Sequence, residues 1–248
     1  MITRRQFFRW LASLGAIGIG AATYAVAFEP MQRPRVTRYD VTPPRWPPGL
    51  DLTIAVLADL HACVPWMTLE RIRSIVAMTN EIGADLIVLL GDYVASHRFI
   101  HEHVPASEWS RELAALRAPL GVHAIIGNHD WWDDKTAQNF GHGPTLCQLA
   151  LESAGIPVLE NKAVQVTKAG QPFWLAGLGD QLAFLPSRHS HPNRRIGVDD
   201  LAGTLAQVTN DAPIVLLAHE PDIAVQVSDR VAPMPRGHTH GGAVRRFG

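Results

Sequence analysis

Five short polar clusters interrupt a chain of 248 residues whose side chains are 47% hydrophobic and 18% charged. They are Asp59-Leu60-His61, Gly91-Asp92-Tyr93, Gly127-Asn128-His129-Asp130, His219-Glu220 and Gly237-His238-Thr239-His240-Gly241-Gly242. Two aspartates, one asparagine and several histidines make a set of oxygen and imidazole donors. Such a set suits Mn, Fe or Zn and disfavours Cu(I) or an iron–sulfur cluster. Two ions side by side need an anion between them, and one aspartate midway along the set would serve. Twelve histidines stand against three lysines (Lys135, Lys162, Lys168), and every histidine lies at or after position 61. Histidine is the commonest metal ligand and titrates nearest neutrality. Two cysteines, Cys63 and Cys147, exclude a disulfide framework and a Cys-based zinc ribbon.

Each of the first four clusters follows an apolar run. Residues 52–58, 85–90, 121–126 and 213–218 read as strands, the first two as strands buried on both faces. Helices are expected at 69–82, with Thr68 as N-cap, at 107–117, at 145–154 with Gly155 as its stop, and at 199–208. Short strands are expected at 157–159, 163–167 and 173–177, with a tight turn at Ala169-Gly170. Asp59 to Asp92 is 33 residues and Asp92 to Asn128 is 36, each about one strand-helix-strand unit. Parallel strands bring their C-terminal ends to one edge, where α/β sheets bind ligands. Strand-helix alternation followed by hairpin-like strands predicts α/β layers with mixed sheets.

The order DxH, GD, GNHD, a lone His and GHTHGG resembles the calcineurin-like metallophosphoesterases over about residues 51–248. The resemblance implies a four-layer α-β-β-α sandwich of two mixed sheets. It implies two divalent ions (Mn, Fe or Zn): Asp59, His61 and His240 resemble ligands of the first, Asp92 the bridge, and Asn128, His219 and His238 ligands of the second. A water or hydroxide shared between the ions would attack phosphorus. His129 resembles the histidine that contacts the scissile phosphate and helps the leaving group depart. Asp130 would orient that imidazole. The combination of GDY, HEPD and GHTHGG with the leader described below is similar to a membrane-associated bacterial subgroup that cleaves phosphodiesters or pyrophosphates, including UDP-diacylglucosamine in lipid A synthesis.

Two features depart from the pattern. Val231-Ala232-Pro233-Met234-Pro235-Arg236 stands where an apolar strand precedes GHTH, and two prolines at alternate positions cannot serve a central strand. The chain also stops eight residues after His240, so C-terminal strands are expected to be missing. Tyr93 reads as structural or pocket-lining. Trp131 and Trp132 read as core, lid or substrate grip, and Glu220 as a helix cap. Cys63 reads as an inert thiol. His97, His101, His103, His142, His189 and His191 read as loop residues, and His123 as a structural strand residue.

The first fifty residues differ in charge, with seven arginines against two acids, whereas the remainder carries 15 basic and 21 acidic groups. That balance disfavours nucleic acid as a partner. Arg4-Arg5 before Phe7-Phe8, then nineteen uncharged residues from Trp10, resemble a twin-arginine export signal or membrane anchor over 1–28. Six prolines over 29–50 suggest a stiff spacer before a catalytic domain at 51–248. The function expected is an exported hydrolase of phosphodiesters or pyrophosphates on the outer side of the cytoplasmic membrane, acting on lipid-linked or nucleotide-sugar substrates. A phosphomonoesterase or nucleotide phosphatase, and a non-catalytic metal-binding relative, are the alternatives.

Overall fold

The computed structural model describes residues 3–24, 32–43, 46–96, 100–186, 196–227, 231–232 and 243–247. In chain order these form α1 (Arg4–Thr23), β1 (Thr37–Val41), β2 (Leu52–Leu57), β3 (Cys63–Val64), α2 (Leu69–Glu81), β4 (Leu86–Leu90), β5 (Glu102–His103), α3 (Ala106–Leu113) and β6 (Val122–Ile125). They continue with α4 (Asn128–Trp132), α5 (Lys135–Phe140), α6 (Leu146–Ser153), β7 (Lys162–Lys168), β8 (Gln171–Gly177), α7 (Leu201–Ala206), β9 (Ile214–Leu217), a 3-10 turn (Pro221–Val225), β10 (Val231–Ala232) and β11 (Ala243–Phe247).

Two mixed sheets carry the body. The first has the order β1-β11-β2-β4-β6 and the second β10-β9-β8-β7. β2, β4 and β6 run parallel, as do β8 and β9. Alternating side chains divide each strand between two cores. Leu52, Ile54 and Val56 of β2 and Leu86, Val88 and Leu90 of β4 pack against Phe173 and Leu175 of β8 and Val215 and Leu217 of β9, filling the space between the sheets. Ala55, Ile87 and Leu89 face the other way, onto Ile72, Ile75 and Val76 of α2 and Trp109 and Leu113 of α3. On the far side of the second sheet, Trp174, Ala176, Ile214 and Leu216 pack with Leu201 and Leu205 of α7. The result is the expected four-layer α-β-β-α sandwich.

Local chemistry sets the element ends. Thr68 and Thr145 accept the Arg71 and Gln148 backbone N–H groups as N-caps of α2 and α6. The β7–β8 hairpin turns at Ala169 and Gly170, both with positive φ (48° and 81°), which the twist of a two-residue hairpin requires.

Two differences from the sequence reading concern the ends. The stretch read as a spacer supplies β1 to the first sheet, and Trp46 and Leu50 to the core between the sheets. The absent C-terminal strands need correction, because Ala243–Phe247 forms one. β11 lies between β1, to which it is parallel, and β2, to which it is antiparallel. β10 pairs with β9 for two residues and stops before Pro233. α1 belongs to a separate unit, Met1–Pro34. Its Thr3 and Gln6 form a capping box, and none of its residues is buried.

Candidate active site

The loops after β2 and β4 are laced together by backbone hydrogen bonds. Asp59 N–H donates to the Gly91 carbonyl (3.1 Å), His61 N–H to Asp92 (2.9 Å) and Ala62 N–H to Tyr93 (2.7 Å). Asp59, His61 and Asp92 all adopt positive φ (54°, 47° and 58°), a region that side chains other than glycine enter at a cost. Three costly conformations at three polar residues mark a site held in place by its surroundings. Two glycines allow the close approach. A Cβ on Gly91 would overlap the Gly127 backbone, and one on Gly127 would overlap Asp92 Oδ1 and the His219 ring.

Asp92 is the centre. His61 Nε2 lies 3.6 Å and His219 Nε2 3.3 Å from Asp92 Oδ2. Each imidazole donates from Nδ1 to a backbone carbonyl, His61 to Val94 (2.8 Å) and His219 to Leu90 (2.6 Å). That orients each ring so that Nε2 is the atom facing the carboxylate. Asn128 Oδ1 completes the inner side, 3.0 Å from His219 Nε2. Donor atoms of Asp59, Asp92 and His219 lie within 4.8 Å of one another, as do those of His61, Asp92 and His129. Asp92, Asn128 and His219 are buried, whereas Asp59, His61 and His129 are half-exposed.

The electrostatics fit cations. Burial alone would raise the Asp92 carboxyl; the hydrogen bond and charge of His219, with His129 and His61 behind them, hold it below its ordinary value. Burial opposes a charge on His219, yet Asp92 and then Glu220 push its pKa up to about 10. The oxygens that draw a proton onto Nε2 would draw a cation to the same place. Two imidazoles with Nε2 converging on one carboxylate oxygen, plus an amide oxygen, are borderline and hard donors of the kind that suit Mn, Fe or Zn. Cys63 and Cys147 are buried free thiols, and neither belongs to a metal-competent group among the described residues.

Asp130 does not orient the His129 ring, and that expectation is corrected. It is 1% exposed and spends both oxygens on backbone N–H groups: Oδ2 on Asp92 (2.9 Å) and Gly127 (3.0 Å), Oδ1 on Tyr93 (2.8 Å) and Val94 (3.3 Å). It ties the β4 loop to the β6 loop. Burial and the nearby Asp92 charge raise its pKa to about 7 against those donors. His129 donates its backbone N–H to Asp92 Oδ1 (2.9 Å), and its ring stands edge-on to His61 at 4.9 Å and tilted to Trp132 at 4.9 Å. Ser96 Oγ meets its Nδ1.

Tyr93 is structural, with its hydroxyl on the Ile125 carbonyl (2.9 Å) and its ring stacked on Trp109. Trp131 is core. Trp132 borders the site and donates from Nε1 to the Leu182 carbonyl (2.8 Å). Asp180 and Glu220 are both buried and form a metal-competent group with His219. Burial, then the Glu220 charge, push the Asp180 carboxyl well above its usual range. Glu220 precedes the 3-10 turn without capping it. Asp180 follows β8 just as His219 follows the adjacent parallel β9, so the strand-end rule reaches it too. His238, His240, His97, His189 and His191 lie outside the described residues.

A family model described as calcineurin-like phosphoesterase matches residues 52–242, the span that carries all five polar clusters and the elements from β2 to β10. The chain belongs to the calcineurin-like phosphoesterases. It is 28% identical to a Bacillus subtilis protein named uncharacterized metallophosphoesterase YkuE, over 98% of this chain and 79% of that protein. It is 33% identical to phosphodiesterase YaeI of Escherichia coli, over 77% and 62%. It is 29% identical to a Danio rerio transmembrane protein with metallophosphoesterase domain, over 85% and 45%. The chain thus spans most of the Bacillus protein and less than half of the fish one. Membership makes this calcineurin-like chain a phosphoesterase hydrolase that works with divalent metal ions, for which the clusters around Asp92 provide candidate ligands.

Proposed function

We propose that the protein is a dinuclear metal-dependent hydrolase of phosphodiester or pyrophosphate bonds. The observation that carries this is the convergence of His61 Nε2 and His219 Nε2 on Asp92 Oδ2 from two sides, at 3.6 and 3.3 Å. Asp59 and His61 would hold one ion, Asn128 and His219 the other, and Asp92 both. By the family resemblance, His240 joins the first set and His238 the second. Divalent ions supply positive charge to the phosphate oxygens and acidify the attacking water.

The chain's own groups do the rest. His129 sits on the exposed side of Asp92, within reach of a phosphate presented to that face. Its ring holds a proton at Nε2 for the departing oxygen. Asp130 holds the Asp92 and Gly127 loops in register, and Gly127 keeps the space between Asp92 and His219 clear.

The diester preference is supported by the likeness to a relative named phosphodiesterase. We further place the enzyme at the cell envelope, acting on lipid-linked or nucleotide-sugar substrates, with residues 1–28 read by the twin-arginine machinery. The paired arginines and the exposed Phe7, Phe8, Trp10, Leu11 and Leu14 of α1 support that placement. No helix among the described residues is long and apolar enough to cross a membrane.

The test is hydrolysis of bis(4-nitrophenyl) phosphate beside 4-nitrophenyl phosphate, with Mn, Zn or Fe(II) added to metal-free protein. Diester turnover that is lost in Asp92→Ala and cut at least ~100-fold in His129→Ala is expected. Faster monoester cleavage would make it a phosphomonoesterase. Metal binding without turnover on either ester would leave a binding protein.

A further inference from the structure

We propose that the lobe beside the active site docks on the surface of an anionic lipid bilayer, through the exposed side chains of Phe140, Leu146, Leu149 and Leu185. This rests on the reading that places the protein at the cell envelope, and is independent of which ester it cleaves.

The lobe is tied together by a few buried polar groups. Asp134 Oδ1 caps α5 by accepting the Thr136 and Ala137 N–H groups (2.9 and 3.0 Å), and its Oδ2 accepts the Leu146 N–H at the start of α6 (2.8 Å). Gln138 of α5 donates to the Trp131 and Ala183 carbonyls (3.1 and 2.7 Å) and accepts the Leu185 N–H (3.1 Å). Phe184 stands edge-on to the Trp131 ring and exchanges backbone hydrogen bonds with Ile196. Trp132, whose ring lies against that of His129, donates to the Leu182 carbonyl, so the same lobe borders the mouth of the site.

Its outer surface differs from the rest of the body in two ways. The first is apolar exposure. Beyond α1, the exposed large apolar side chains among the described residues are Val36, Tyr39 and Val225, and five that this lobe carries: Phe140, Leu146, Leu149, Leu185 and Ile196. Phe140, at the end of α5, is 70% exposed and Leu146 is 62% exposed. Leu146 and Leu149 are three apart on α6 and share a face. That face is turned away from Cys147 and Leu151, the buried residues of the helix. A helix that packs once needs one apolar stripe, and α6 presents a second to its surroundings.

The second is charge. Residues 51–248 carry 15 basic and 21 acidic groups. The stretches 135–151 and 181–198 hold four of the basic groups (Lys135, Arg188, Arg194 and Arg195) and none of the acids. The three arginines lie outside the described residues, and their charge is a fact of the sequence. Arg111 of α3 lines an open groove with Leu149 on the flank of α6. Apolar tips on an acid-free, basic part of an acidic body match anionic headgroups over hydrocarbon. The tips enter the headgroup region and the cations pair with lipid phosphates. A two-fold dimer through this face would instead set the basic stretches against their own copies, which repel.

The experiment uses the full chain. Cys63 and Cys147 are buried, so a thiol introduced at an exposed position is the one that takes a nitroxide label. Phe140→Cys is labelled, with Gln165→Cys as control, an exposed position on β7 at the edge of the second sheet. Label depth is read by electron paramagnetic resonance on vesicles of equimolar phosphatidylglycerol and phosphatidylcholine, and of phosphatidylcholine alone. The label at position 140 is expected below the headgroups of the anionic vesicles only, and the label at position 165 in water on both. Co-sedimentation is then measured with Phe7→Ser/Phe8→Ser/Trp10→Ser, which removes the contribution of α1. Binding to anionic vesicles is expected to persist and to weaken at least ~10-fold between about 50 and 500 mM salt. Adding Leu146→Ser/Leu149→Ser/Leu185→Ser should weaken it at least ~10-fold, with Tm and turnover on a soluble ester unchanged. Vesicle binding by the full chain with the label at position 140 in water overturns the proposal and leaves the envelope placement standing. Absence of binding to either vesicle overturns both. Self-association abolished by the triple leucine substitution would assign the face to a second copy and overturn the proposal as well.

Discussion

At the scale of single residues, the site depends on groups that touch no substrate. A methyl at Gly127 would overlap Asp92 Oδ1 and the His219 ring. Gly127→Ala is therefore expected to lower metal content per chain and cut turnover at least ~10-fold, checked by elemental analysis beside the ester assay. Asp130→Ala would strip the acceptor from four N–H groups in a site where the residue is 1% exposed. At about 1–3 kcal/mol per buried donor left unpaired, with partial relaxation, a loss of roughly 3 kcal/mol or more is expected in chemical denaturation. The candidate ligands were legible in the sequence because metal chemistry restricts residue type and because strand ends collect it. Asp130 was not, since adjacent helical residues point about 100° apart and sequence adjacency to His129 says nothing of contact. Ser96 was invisible for another reason: a serine is common in loops, and its partner lies 33 positions away. Asp180 was missed although the rule that found His219 applied to it.

At the scale of elements, β4 shows what patterning can settle. Its five residues are all buried, so a continuous apolar run read as a strand covered on both faces. β1 shows the opposite. Four of its five residues are exposed, it lies within a proline-rich stretch, and its pairing partner is β11 at the other end of the chain. Composition there pointed to a spacer, and only the long-range pairing makes it a strand. Capping is testable at α6, where Thr145 is fully buried and accepts the Gln148 N–H at 3.1 Å. Thr145→Ala should cost about 1–2 kcal/mol of unfolding free energy. β6 offers a pH handle. Burial pushes the His123 pKa below the usual imidazole value, against a hydrogen bond with Leu120. The unfolded chain then takes up the proton more readily than the native one. Stability from this residue is full above roughly pH 6.5 and falls as acid carries the pH down through the depressed native value. In His123→Gln the denaturation midpoint should drop less between about pH 7.5 and pH 5 than in wild type; an equal drop would place the acid sensitivity elsewhere.

At the scale of the whole molecule, an ion that binds only the native state stabilises it. At a hundred times its Kd the gain is about 2.7 kcal/mol, a rise of several degrees in Tm that a chelator should reverse. A Tm indifferent to Mn, Zn and Fe(II) would count against the centre built on Asp92. The position of β11 has a further consequence, one for folding kinetics. β1 reaches the first sheet only through β11, which pairs Val41 with Phe247 on one side and Leu52 with the same residue on the other. Closing those contacts brings together residues about two hundred positions apart, and pairings of such sequence separation form slowly. Before β11 seats, β2 presents an unpaired edge of apolar backbone, the kind of edge that recruits neighbouring chains. The interval between synthesis of β2 and arrival of β11 is thus the time during which this chain is most exposed to aggregation.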